Sequence, residues 1–185
     1  MCNDECDLTG TRRTVTTMRR TAPFVLLIAV LVLVLAHGRG GGDDEGDRFG
    51  EGHVVRVVDG DTIRVRLGDR TERVRYIGVD TPESVKPGTP VQCFAKRAAA
   101  ANAALVAGRE VRLVGDVEHR DRYGRLLAYV YRVGDGAFVN ALLVRDGYAR
   151  TLTIAPNVAH AGEFARLARA ARSDGRGLWR ACAME

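Results

Sequence analysis

The chain has 185 residues, 46% of them hydrophobic and 28% charged. The first fifty differ in composition from the rest, so the folded part is about 135 residues, one domain large enough to hold a core without disulfide or metal staples. Residues 49–185 carry 22 Lys and Arg against 16 Asp and Glu, a net of +6, which suits a polyanionic partner without requiring one. Only Lys86 and Lys96 of that stretch are lysines. Arginine suits bidentate phosphate contacts, although a GC-rich coding bias gives the same composition.

Residues 21–36, TAPFVLLIAVLVLVLA, are almost wholly apolar and follow Arg12, Arg13, Arg19 and Arg20. The apolar run is about 14 residues, short of the ~20 of a membrane-spanning helix, and it fits the apolar region of a signal peptide. Val34-Leu35-Ala36 offers small residues for cleavage after Ala36, and Met18 offers an alternative start. The other reading is an uncleaved membrane anchor with its positive residues inside. Residues 1–36 are thus expected to be a signal peptide or anchor, 37–50 a flexible Gly/Asp-rich linker, and 51–183 the folded domain. Both readings place the domain outside the cytoplasm, secreted or held on the outer face of the cytoplasmic membrane. Cys2 and Cys6 precede the apolar run, so an exported domain keeps Cys93 and Cys182. An even pair in an oxidising compartment predicts one disulfide, tying the C-terminal end to the start of the main helix. The alternative is two separately buried thiols. With no C-x-x-C, a structural zinc site is not expected.

Residues 53–58 (HVVRVV) and 62–67 (TIRVRL) flank Asp59-Gly60-Asp61, a hairpin signal. In the second run Ile63, Val65 and Leu67 alternate with Arg64 and Arg66, one core face and one wet face. GDR, 68–70, is a turn and TERVRYIGV, 71–79, a third strand. The alanine-rich segment 93–108 ends on glycine and reads as a helix. Strands are expected at 109–116 and 125–133, and helices at 137–147 and 160–177. The class is α+β: an OB-fold-like barrel of five strands with three helices, one between strands 3 and 4 and two after strand 5.

Three polar clusters interrupt this barrel: Asp59-Gly60-Asp61-Thr62, Arg75 with Asp80-Thr81-Pro82-Glu83, and Arg120-Asp121-Arg122-Tyr123-Gly124-Arg125. Taken singly, each is ordinary turn chemistry. Taken together, they are the parts of a phosphodiesterase site. Asp61, Asp80 and the Thr81 carbonyl are oxygen ligands for a hard divalent cation. Arg75 and Arg125, on separate elements, can clamp a phosphate from two sides. Glu83 can orient or deprotonate a water.

VVDGDT (57–62), RYIGVDTPE (75–83), DRYGRLLAYVY (121–131), FVNALLVRDGYA (138–149) and GLW (177–179) occur in the order and rough spacing of the thermonuclease (staphylococcal nuclease-like) family. The chain resembles that family from about 52 to 182. The resemblance implies an OB-fold nuclease that uses calcium (Ca2+) to cleave DNA and RNA at the 5′ P–O bond, leaving 3′-phosphate ends. It implies Asp61 and Asp80 as calcium carboxylates and Thr81 as the carbonyl ligand. Glu83 takes the place of the general-base or water-positioning glutamate, and Arg75 and Arg125 those of the phosphate arginines. Arg122 and Tyr123 match positions that hold a terminal phosphate. Asp59 matches an acidic residue near the metal that is not a direct ligand.

One stretch departs from the family. Where the staphylococcal enzyme has tyrosines framing the base pocket, residues 150–155 are RTLTIA, with no aromatic. Stacking on such rings contributes ~1–3 kcal/mol per base, so an altered base preference is expected. A non-catalytic OB module binding nucleic acid at the envelope is the competing reading, and a calcium-stabilised structural domain a third. A monomer is expected, with no protein partner.

Overall fold

The structure, a computed structural model, describes residues 48–83, 88 and 90–182. The expected signal or anchor over 1–36, with Met18, lies outside the described residues. Strand β1 (Arg48–Val57) begins inside the segment read as linker, pairing Arg48 with Val114. It is followed by β2 (Thr62–Leu67), β3 (Arg70–Tyr76), β4 (Gly78–Asp80), α1 (Ala95–Val106), β5 (Glu110–Val114) and β6 (Leu126–Arg132). Then come α2 (Val139–Arg145), β7 (Arg150–Leu152), α3 (Ala161–Ser173) and α4 (Leu178–Ala181). Five strands close a barrel in the order β1-β2-β3-β6-β5, the expected OB arrangement. All neighbours are antiparallel except β3 and β6, which run parallel.

The alternation in β2 sets its orientation: Ile63 and Val65 are fully buried while Arg64 and Arg66 face water. The core is filled by Val54, Val74, Tyr76, Val111, Leu113 and Val130, capped by Leu143 and Phe164 from α2 and α3. The third strand, expected over 71–79, breaks at Ile77. Gly78 has φ +78°, and a Cβ there would overlap the Phe164 ring. Only glycine allows helix α3 to press this close. Beyond the break, β4 leaves the barrel and pairs with β7 in a separate two-stranded sheet. The buried Asn140 of α2 holds the kink, donating to the Ile77 carbonyl (2.9 Å) and accepting from the Val130 amide (3.0 Å). Strand β7 and the four-residue α4 are additions to the expected elements.

Cys93 and Cys182 form a disulfide, with Cα atoms 6.0 Å apart, tying the end of α4 to the residues entering α1. Among the described residues no helix is long and apolar enough to cross a membrane.

Candidate active site

The register of three strands brings the polar clusters together. β2 pairs with β3 so that Thr62 faces Arg75, and the Tyr76 amide donates to the Asp61 carbonyl at 2.9 Å. This sets Asp61 beside Arg75. The parallel β3–β6 ladder places Arg75 opposite Leu127, two residues past Arg125. Arg125 thus enters β6 close to Arg75, although fifty positions separate the two in sequence. Both line one cleft of about 430 Å³, with Asp121, Tyr123, Leu152 and Ile154.

Arg75 is tightly held. Its Nη1 donates to the carbonyls of Tyr76 (3.1 Å) and Val79 (2.8 Å), and Nη2 to Asp80 Oδ1 (3.0 Å). Nε lies 3.3 Å from Asp61 Oδ1. Asp61 and Asp80 therefore converge on one guanidinium. The other oxygen of Asp61, Oδ2, accepts from the Thr81 amide (2.7 Å) and hydroxyl (2.8 Å). These two loops can touch because residue 60 is glycine: a Cβ there would sit 2.6 Å from Thr81 Oγ1. Thr81, expected to serve through its carbonyl, thus also orients Asp61 through its two donors.

The carboxylates crowd one another. Burial and the neighbouring Asp61 raise the Asp59 carboxyl to about 6. Burial also raises Asp80, with Arg75 opposing it and Asp61 and Glu83 adding to it. Asp59 contacts Asp61 through the Asp61 amide at 3.1 Å. Crowded oxygen anions with no sulfur or imidazole among them suit a hard divalent cation such as calcium or magnesium. Asp61 and Asp80 are the residues that fit it. Among the described residues no group of three or more Asp, Glu, His or Cys side chains surrounds a single point, so water or backbone oxygens would complete the set.

Arg125 is held by its own turn. Its Nε donates to Asp121 Oδ2 at 2.6 Å, while Asp121 Oδ1 accepts the amides of Tyr123 and Arg125. Burial opposes ionisation of Asp121, but the Arg125 side chain and these amides outweigh it and hold the carboxyl below its ordinary range. Among the described residues the Arg125 Nη groups have no hydrogen-bond partner, so its fork is open to the cleft. Tyr123 is 67% exposed, with the Arg122 and Arg125 guanidiniums 4.8 and 5.5 Å from its ring centroid. Leu152 and Ile154, from the stretch without aromatics, also line the cleft.

Glu83 is anchored by its backbone. Its amide donates to Gln92 Oε1 (2.8 Å), and its carbonyl accepts from the Gln92 amide (3.0 Å). Gln92 adjoins the disulfide at Cys93. Sequence reading missed Gln92, which lies in a loop without periodicity. It also missed Asn102, fully buried on α1, which accepts from the Tyr76 hydroxyl and donates to the Asp59 carbonyl, both at 2.9 Å. A lone asparagine in an alanine-rich helix was the signal that could have found it, because a buried amide needs partners.

Fold and site together define a nuclease of the OB-barrel class. The family model for staphylococcal nuclease homologues matches residues 73–181, and the chain belongs to that family. It is 44% identical over 141 residues to a thermonuclease of Staphylococcus intermedius, covering 74% of this chain and 83% of the relative. A thermonuclease of Staphylococcus hyicus is 40% identical over 126 residues, 68% and 73% of the two chains. Endonuclease YncB of Bacillus subtilis is 40% identical over 126 residues, 67% of this chain and 59% of the relative.

Proposed function

We propose that the protein is an exported, calcium-dependent endonuclease that hydrolyses phosphodiester bonds of DNA and RNA and leaves 3′-phosphate ends. The observation that carries this reading is the convergence of Asp61 and Asp80 on Arg75, which lines the same cleft as Arg125. Asp61 and Asp80, with the Thr81 carbonyl, hold the cation. Bound, it supplies positive charge against the phosphate and the charge that develops on it.

The other roles belong to side chains. Arg125 grips the phosphate with its unpartnered Nη groups, fixed in aim by Asp121. Arg75, already fixed by two backbone carbonyls, turns its remaining donor capacity to the same phosphate. Glu83 orients the attacking water and takes its proton. Arg122 and Tyr123 hold a neighbouring terminal phosphate at the rim. The aliphatic wall of Leu152 and Ile154 accepts any base without stacking it, which supports broad sequence tolerance. Export is supported by the arginine-flanked apolar run and by the disulfide, a bond that persists in oxidising compartments.

The test is cleavage of single-stranded DNA by the full chain with calcium and with excess chelator. Calcium-dependent fragments ending in 3′-phosphate are expected. Glu83→Gln should lower kcat about 10²–10⁴-fold, the range of a lost general base. Arg125→Ala should also abolish most activity while both variants keep the parent Tm. Parent-like cleavage by either variant would refute the assigned roles.

A further inference from the structure

Across the β4–β7 ladder Asp80 pairs directly with Arg150. Directly opposed residues present their side chains to the same face, so Arg150 flanks the proposed metal carboxylate. Both line a groove of about 540 Å³ that runs from Pro82 to Leu178 and the disulfide at the far end of the chain. The Arg150 guanidinium lies 5.8 Å from the Trp179 ring centroid, and the Arg172 guanidinium 5.5 Å from the same ring. Helix α3 continues the series. Arg172, Arg169 and Arg166 stand three residues apart on neighbouring turns, and all three are exposed. Among the described residues, Arg166 and Arg169 carry no ion pair.

We propose that this arginine lane, Arg150–Arg172–Arg169–Arg166, is the track of the nucleic-acid strand outside the catalytic cleft. The inference rests on the nuclease reading for its direction, because the lane starts at Asp80. Trp179 clamps two of its guanidiniums, so less side-chain freedom is lost when they meet phosphates. An anionic membrane fits less well. A helix that lies on a bilayer needs an apolar face to insert, and that face of α3, Phe164 with Leu167 and Ala168, is already packed on the barrel core. A series of exposed cations that ends beside the proposed metal carboxylate suits a linear polyanion.

The test compares the full chain with the triple variant R166Q/R169Q/R172Q, which leaves Arg150 and the catalytic groups intact. Binding of a long single-stranded oligonucleotide is followed in excess chelator across a salt series. Each phosphate contact on a single strand contributes about 0.7 to the slope of log K against log salt, so the variant's slope should be shallower by about 2. With metal, KM for the long strand should rise while cleavage of a dinucleotide stays at the parent rate. The lysine variant R166K/R169K/R172K keeps the charge and should restore the slope, which separates an electrostatic track from a folding defect. An unchanged slope and unchanged KM overturn the proposal. So does a variant that loses only its binding to vesicles of anionic phospholipid. If the parent cleaves neither substrate yet shows the slope difference, the nuclease reading fails and the lane stands.

Discussion

Gln92 positions Glu83, the residue proposed to handle the attacking water. It pairs with the Glu83 backbone on both sides, so it fixes where the carboxylate starts from without touching substrate. Gln92→Leu keeps the bulk but leaves the Glu83 amide without its acceptor. Loss of aim at a reacting carboxylate costs roughly ten- to a hundredfold in rate. We expect that loss in kcat with little change in KM, and recovery in Gln92→Glu, which keeps the acceptor. Steady-state kinetics on single-stranded DNA would check it. An equal rise in KM would mean that the loop shapes the binding cleft instead. No sequence pattern marks this glutamine, because its partner is a backbone amide nine residues away across a loop. Asp61, Asp80, Arg75 and Arg125 could be singled out only in combination, because each alone sits in or beside an ordinary turn; the structure brings Asp61 and Asp80 onto Arg75.

At the scale of the elements, alternation made the barrel readable. Strand β2 showed its buried face in every second residue because that face meets one continuous core. The break in the third strand was not readable. It depends on Gly78 meeting Phe164, a contact between residues far apart in sequence. Strand β7 was missed because three residues, 150–152, carry too little periodicity to read. Another cross-element contact has a measurable consequence. Glu72 on β3 accepts two hydrogen bonds from Arg120, each 3.0 Å, and Arg120 also donates to the Gly124 carbonyl at 2.9 Å. The pair ties the barrel to the turn that carries Arg122, Tyr123 and Arg125. The Arg120 hydrogen bonds lower the Glu72 carboxyl from its ordinary 4.5. A depressed carboxyl contributes stability above its unfolded value, and that share is lost as pH falls through the folded value. Glu72→Gln should therefore lower Tm at neutral pH and make its decline below about pH 4.5 shallower than the parent's. Parallel Tm curves for parent and variant would show that the pair contributes nothing to folding.

Seen whole, the molecule is closed twice, once by hydrogen bonds and once covalently. The disulfide spans 89 positions of sequence. Closing a loop of that size removes enough freedom from the unfolded chain to contribute about 4–5 kcal/mol. The double variant Cys93→Ser/Cys182→Ser should lose a stabilisation of that order in denaturant unfolding, and a midpoint unchanged from the parent would refute it. The other closure is the parallel β3–β6 seam. It pairs Val74 with Leu126, distant parts of the chain, the kind of contact that slows folding. Arg75 and Arg125 sit on opposite sides of that seam. A chain emerging from synthesis holds one arginine of the proposed phosphate clamp before the other, and the two come together only when the seam zips. The topology would thus delay the proposed phosphate grip until the barrel is complete.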